Sequence, residues 1–385
     1  GSSTMRIPAS DYATLRQHPW RWVDLRSPAE FARDHVPTST NVPLFDDQQR
    51  AIVGTLYQKE SPQSAFEAGL AFVEQRLPCL LEALVGQPLD PAVWQPRFHD
   101  LGAFLGGGAD ILKLDFQTEI TESPQTPTLA LYCWRGGMRS RSVAALLKAL
   151  GVPVILLEGG YKSYRTWVRA QLVERPLPAL TVLRGPTGVG KTLILAQLEA
   201  QRPHSTLCLE SLADHRSSVL GAVGKKPVSQ PMFDSKLVQR LEQLGVGAAF
   251  VEGESRKVGD VILPEKLWLA MEAGRQVQLQ GTTATRVANL MEDYLATEGA
   301  IEAICEHLPF LEGRIGKKWA GQLAVWLREG RAAEVTEMLL ERYYDPLYAH
   351  SDKRRNWCST LQVESPTLLA ELFAWLDCAP QAELS

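Results

Sequence analysis

Leu129-Ala130-Leu131-Tyr132-Cys133-Trp134-Arg135-Gly136-Gly137-Met138-Arg139-Ser140 is the stretch on which the reading of the fold turns. Its first four residues are an apolar run of strand length. From Ser140 to Leu150, apolar residues recur at helical spacing (Val143, Leu146, Leu147, Leu150), and Gly151 stops the helix. Cys133 therefore falls in a loop between a strand end and a helix N-terminus. There the unpaired backbone N–H groups and the helix dipole favour negative charge, and with it a thiolate. Gly136 and Gly137 let the backbone turn its N–H groups inward as an anion nest. Arg135 and Arg139 add fork-shaped donors suited to phosphate-like groups, and Ser140 completes the set. The stretch predicts a nucleophilic cysteine in an oxyanion-binding cradle.

The 385 residues allow two or three domains, and 45% hydrophobic with 22% charged residues is the balance of a globular protein. Apolar runs are too short to cross a bilayer. Gly1 to Thr4 reads as a cloning remnant ahead of Met5, with no signal peptide following. The six cysteines (79, 133, 208, 305, 358, 378) are scattered without a C-x-x-C pair. That argues against a disulfide framework or a zinc site and suits a reducing cytoplasm. A formal charge of −4 gives no overall attraction to nucleic acid, so RNA must be held by local basic patches.

Arg21 to Arg26 reads as a short strand. Ser27-Pro28-Ala29-Glu30 then opens a helix, with Ser27 as N-cap, Pro28 first in the helix and Glu30 three after the cap. Prolines after Val36 and Val42 predict loop or edge strand. The run VDLRSPAEFARDHVPTSTNVPL closely resembles the opening of a rhodanese domain, although Thr38-Ser39-Thr40 stands where that family has Pro-Gly-Ala. The C-x-x-G-x-x-R-S loop itself has the length of a cysteine-phosphatase loop, and its surroundings resemble a rhodanese. Residues 46 to about 122 are a long insertion, expected to be helical because so long a structureless loop is improbable in a compact domain. Helical periodicity from Ser64 to Leu84 is expected to break at Pro78, and Gly102 to Gly108 to form a flexible turn. Tyr57, Lys59, Ser61 and Pro62 are candidates for lining the cysteine site.

Val154 to Leu157 is a further apolar strand, followed by a helix from Lys162 to about Val173. Arg175-Pro176-Leu177-Pro178 resists helix continuation and marks the boundary between a first domain, 5–175, and a second, 176–385. The second opens with strand Leu180 to Leu183. Gly185-Pro186-Thr187-Gly188-Val189-Gly190-Lys191-Thr192 follows and matches G-x-x-x-x-G-K-[ST] in full, ahead of an apolar helix. The glycines let N–H groups wrap a phosphate chain, Lys191 reaches the terminal phosphate and the Thr192 hydroxyl can ligate Mg²⁺. Strands at Thr206 to Glu210 and Ala248 to Glu252 each end in a carboxylate. Glu252 stands where a P-loop protein often has its metal-orienting acid, or is a strand-end ion-pair residue. His215 and Arg216, near a strand end, are candidate acid or ligand contacts, because ligands bind at that edge of an open α/β sheet. Beyond residue 285 the pattern is nearly all helical, with one helix ending at Asp345-Pro346. Basic residues at Lys225-Lys226, Arg314/Lys317/Lys318 and Lys353-Arg354-Arg355 have aromatic neighbours that could stack on unpaired bases.

Together the segments VDLRSPAEF, YCWRGGMRSRS, LEGGYKSYR, LRGPTGVGKT, LADHRSSVLG, VEGESRKVG and YYDPLY resemble the tRNA 2-selenouridine synthase family along essentially the whole chain. Ser217-Ser218 is a departure, since that family has Gly-Ser there. The resemblance implies an α/β protein: a rhodanese-like domain with a helical insertion, then a P-loop NTPase-like, doubly wound parallel sheet with a helical C-terminal extension. It implies a transferase acting on the wobble 2-thiouridine of tRNA, with geranyl diphosphate and selenophosphate as co-substrates. The sulfur is first S-geranylated, and selenium then replaces the S-geranyl group. The P-loop residues Gly185, Thr187, Gly188, Gly190, Lys191 and Thr192 would hold the diphosphate. Cys133, with Arg135, Gly136, Gly137, Arg139 and Ser140, would take selenophosphate. Lys225, Lys226, Lys317, Lys318, Arg354 and Arg355 would contact tRNA. Rival readings are a cysteine-dependent phosphatase or sulfurtransferase fused to a P-loop kinase, and a regulatory module with both sites vestigial.

Overall fold

Two sets of short apolar runs become two parallel sheets in the computed structural model, which describes residues 6–105, 115–117, 129–351 and 355–378. The chain divides into a unit spanning Gly1–Ala170 and a unit spanning Gln171–Ser385. Among the described residues no helix is long and apolar enough to cross a membrane.

The first unit holds strands β1 (Arg6–Ser10), β2 (Arg21–Asp24), β3 (Thr40–Asn41), β4 (Asp115–Gln117), β5 (Leu129–Tyr132) and β6 (Val154–Leu157) in one sheet, ordered β3-β2-β5-β6-β1-β4. All its pairings are parallel. β5 lies inside the sheet and is buried at all four residues, which is why it reads as a continuous apolar run. Ser27 and Glu30 form the capping box that opens helix Pro28–Arg33.

The insertion is helical at Asp47–Lys59, Pro62–Val85 and Pro91–Leu105, but it is not helical throughout, because it also supplies β4 to the sheet edge beside β1. Pro78 does not break the second of these, contrary to the expectation from sequence. An interior proline costs about 3 kcal/mol. Leu77, Leu80, Leu81 and Leu84 are all buried on the core shared with β5 and its helix, and each contributes about 1.5–3 kcal/mol. Packing wins. Gly102 lies within the third helix rather than in a turn, while Gly106 to Gly108 fall outside the described residues.

The second unit holds strands β7 (Ala179–Arg184), β8 (Thr206–Leu207), β9 (Ala248–Glu252), the small hairpin β10 (Lys257–Val258) and β11 (Val261–Ile262), β12 (Arg275–Gln280) and β13 (Trp357–Gln362). The main sheet is parallel, in the order β13-β12-β7-β9-β8. Three expectations are corrected here. β8 stops at Leu207, and Glu210 belongs to the short helix Leu209–Ala213, whose first N–H groups are received by the Glu252 carboxylate. The C-terminal part is not wholly helical, because Trp357 to Gln362 joins the sheet edge as β13, with only Leu361 buried. No helix ends at Asp345-Pro346: the chain passes from a π-helical turn (Leu340–Tyr344) directly into helix Asp345–Ser351, where Pro346 sits in the tolerated first turn.

Candidate functional site

Cys133 follows directly on β5, and helix Met138–Ala149 begins five residues later with Gly137 as its N-cap. That cap makes no side-chain hydrogen bond, so the helix N–H groups are not answered by a capping side chain. The Cys133 thiol is 3% exposed and donates to Ser140 Oγ at 3.1 Å, and Ser140 in turn donates to the Gly137 carbonyl. The sulfur thus sits beneath a polar loop, beside a helix N-terminus. Arg139 is half-buried with its guanidinium 5.7 Å from the Phe45 ring centre. Burial lowers its pKa from the usual guanidinium range. Cys133 and Glu30 oppose that shift, and a second guanidinium, Arg50, adds to it. Arg135 and Gly137 are exposed, and Gly136 takes a left-handed φ of 69°.

The loop is held from below by the turn after β6. Tyr161 N–H donates to the Cys133 carbonyl at 2.8 Å and Lys162 N–H to the Trp134 carbonyl at 3.0 Å. A Cβ on Gly160 would lie 2.6 Å from the Cys133 oxygen and 2.7 Å from the Gly136 nitrogen, so only glycine fits. Tyr161 Oη donates to Asp34 Oδ2 at 2.6 Å, and the Arg26 guanidinium lies 4.0 Å from its ring centre. Arg26 is buried and paired with buried Asp24 at the C-terminal end of β2. Of the insertion residues expected at this site, Tyr57 is 62% exposed, and Ser61 and Pro62 serve instead as N-cap and first residue of helix Pro62–Val85.

In the second unit, Gly185 to Gly190 join β7 to helix Lys191–Gln201. Lys191 Nζ donates to the Gly185 carbonyl at 2.7 Å, and Thr192 Oγ1 donates to Glu210 Oε2 at 2.9 Å. Glu252 is fully buried at the end of β9 and accepts from the Leu209 N–H at 2.6 Å and from the Cys208 thiol at 3.1 Å. Burial, and then the neighbouring Glu210 carboxylate, push its pKa up. Burial raises Glu254 as well; Lys191 opposes that shift and Glu210 reinforces it. Glu252 and Glu254 are thereby both held towards the neutral form beside the Glu210 carboxylate. Among the described residues no group of three or more His, Cys, Asp or Glu is disposed to hold a metal ion.

The P-loop is braced from outside by helix Thr283–Tyr294. Arg286 Nε donates to the Thr187 carbonyl at 2.9 Å, while its two terminal nitrogens pair with Asp345. Asn289 Nδ2 donates to the Gly188 carbonyl at 3.0 Å, and a Cβ on Gly188 would come within 2.9 Å of the Arg286 oxygen. Beyond this brace lies an apolar cavity that opens to solvent. It starts at Thr187 of the P-loop and is walled by Leu220, Leu290, Ile304, Val335 and Leu339, with the Tyr294 and Tyr344 rings. Arg286 and Asn289 were not identified from sequence, whereas Glu210 stood at the end of an expected strand, Glu254 lay within VEGESRKVG and Asp345 within YYDPLY.

The remaining candidates are spread out. The His215 ring is held by Gly221 and Gly259 and accepts from the Ser217 N–H at 2.8 Å. Arg216 pairs with Asp293 at 2.8 Å and lies 4.2 Å from the ring centre of Tyr294, a residue that lines the cavity. Ser217, where the related segment carries glycine, takes a left-handed φ of 57°. Lys225, Lys226, Lys317 and Lys318 are solvent-facing, with Lys318 Nζ 5.3 Å from the Trp319 ring centre. Arg355 is engaged with Glu272 at 3.2 Å, and Arg354 lies outside the described residues.

Comparison with known proteins joins these features. Residues 178–324 match the sequence profile of the tRNA 2-selenouridine synthase AAA domain. A curated tRNA 2-selenouridine synthase of Nitrosomonas europaea is 29% identical, with 86% of this chain and 89% of that protein covered. That of Cupriavidus pinatubonensis is 29% identical, covering 91% and 94%, and that of Shewanella sediminis is 27% identical, covering 91% and 93%. Over about nine-tenths of its length the chain is thus similar to proteins named tRNA 2-selenouridine synthase, and within it residues 178–324 match the AAA domain of that family.

Proposed function

We propose that this protein converts the wobble 2-thiouridine of tRNA to 2-selenouridine in two displacements, one at each anion cradle. The observation that carries the reading is the apolar cavity opening beside the P-loop at Thr187. A nucleotide has no use for an aliphatic chamber there, whereas an isoprenoid diphosphate needs both a phosphate cradle and an oily one. Burying hydrocarbon is worth about 0.8 kcal/mol per CH₂, so a ten-carbon tail contributes several kcal/mol to binding.

In the first step the thiocarbonyl sulfur attacks C1 of geranyl diphosphate. The C–O bond breaks, diphosphate leaves with the electron pair, and the N3 proton is lost to solvent. Lys191 and the P-loop N–H groups neutralise the departing diphosphate. Thr192 and Glu210 are the oxygen donors suited to a Mg²⁺ ion, which when bound would add further charge neutralisation. Alkylation turns sulfur into a usable leaving group.

In the second step the Cys133 thiolate attacks the phosphorus of selenophosphate, held by Arg135, Arg139 and the loop N–H groups. The S–P bond forms, the P–Se bond breaks, and hydroselenide leaves. Selenium adds to C2 of the base, geranylthiol departs, and water hydrolyses the phosphocysteine to phosphate. The first unit serves as a rhodanese-like domain whose loop carries the nucleophile, and a tRNA substrate puts the work in the cytoplasm. Exposed Lys225, Lys226, Lys317 and Lys318 supply phosphate contacts to the RNA.

The cavity gives the test. Ala332 lines it and is half-buried. Ala332→Phe should weaken geranyl diphosphate binding about tenfold by calorimetry while leaving inorganic diphosphate affinity unchanged. Equal affinities for geranyl diphosphate in the two proteins would remove the tail from this cavity.

A further inference from the structure

The insertion brings one residue to the cysteine cradle that its sequence did not announce. Helix Asp47–Lys59 is fixed at its start by a capping box between Asp46 and Gln49, and Asp47 Oδ1 accepts from the Ala29 N–H at 3.0 Å. This seats Arg50 in the first turns, five residues after Phe45, the ring over which Arg139 lies. Gly54 makes room for it: a Cβ there would come within 2.9 Å of an Arg50 terminal nitrogen. Arg50 is under-partnered. Its Nε is buried without a hydrogen-bond partner, and the nearest carboxylate oxygen, Glu30 Oε1, is 3.8 Å away. The other oxygen of Glu30 is already taken by the Ser27 N–H and hydroxyl. The Arg139 guanidinium, on the helix that follows Cys133, thus has Arg50, the Cys133 sulfur and the preoccupied Glu30 among the charged groups that act on it.

Like charges brought together repel, and a fold keeps them so where an anion completes the set. We infer that Arg50, delivered by the insertion, forms with Arg139 a two-guanidinium clamp for the tetrahedral dianion that reacts at Cys133. This rests on the proposed reading of the Cys133 loop. Arg139 comes from the helix that follows the sulfur and Arg50 from a helix that the insertion adds. The insertion is then part of the site, giving the loop selectivity for a doubly charged phosphate-type donor over a neutral one.

The test uses full-length protein and tRNA already carrying S-geranyl-2-thiouridine, so that only selenium transfer is read. Arg50→Gln should raise KM for selenophosphate about tenfold with kcat within about threefold, and raise the inhibition constant of inorganic phosphate by the same factor. Arg50→Lys, which keeps the charge and loses the fork, should raise KM about threefold. Thermal unfolding checks that each variant is folded, and if Arg50→Gln is not, Arg50→Lys decides. Unchanged KM and phosphate inhibition in the folded variants would overturn the clamp while leaving Cys133 in its role. Failure of the unaltered protein to convert geranylated tRNA would instead overturn the reading on which the clamp rests.

Discussion

The cysteine loop and the P-loop use one backbone device twice. Each follows a buried parallel strand, turns on left-handed glycines and delivers free N–H groups at a helix start. They differ in what backs them. The Cys133 loop is pinned by backbone bonds from Tyr161 and Lys162, and its sulfur is buried and held by Ser140. The P-loop is braced by side chains, Arg286 and Asn289, from a helix that also walls an apolar chamber. In the proposed function, anion binding comes from the shared backbone geometry, and the reaction from the residue at the loop mouth and from what lies beyond it.

The sharpest way to break this contrast is to remove one reactive group at a time. Cys133→Ala should abolish selenium insertion, a loss of at least about a thousandfold, yet leave S-geranylated tRNA forming, as nucleoside mass spectrometry would read. Lys191→Ala should weaken geranyl diphosphate about tenfold or more by calorimetry, because it removes a charge-assisted contact to diphosphate. Selenium transfer to tRNA that is already geranylated should survive it.

Smaller effects test the bracing. Arg286→Met removes the guanidinium that ties Thr187 to Asp345, leaving a carboxylate and a carbonyl without their donor. Asp345 is 42% exposed and so partly rescued by water, which holds the expected loss to about 2 kcal/mol in chemical denaturation. Glu252 gives a pH signature. Its folded pKa is raised above the unfolded one, so between the two the folded state binds more protons. Its contribution to stability is therefore present below the unfolded value and is lost as pH rises towards the folded one. Glu252→Gln should flatten that decline, measured as unfolding free energy against pH.

Much of this contrast could be read in the sequence, and the omissions have physical reasons. β5, β7 and β9 were legible because strands buried on both faces are continuous apolar runs, and the two loops because their glycines and cations fall at fixed offsets. Pro78 misled because a local rule was overridden by four leucines contributed to a core assembled from distant segments. β13 was missed because an edge strand with only Leu361 buried carries little apolar signal. Arg286, Asn289 and Arg50 act through partners about a hundred residues or several elements away, and no spacing along the chain announces such contacts. Ser217, at φ 57°, shows the converse: the position where the chain departs from Gly-Ser is one where the backbone asks for glycine.

The central claim is that two independent cradles serve one base in turn, and a mixing experiment tests it most directly. Full-length Cys133→Ala and Lys191→Ala proteins are incubated, separately and together, with 2-thiouridine tRNA, selenophosphate and geranyl diphosphate held too low for the weakened P-loop. Apart, the first should yield only S-geranyl-2-thiouridine and the second almost nothing, while the mixture should make 2-selenouridine. A mixture no more productive than its components would contradict the account.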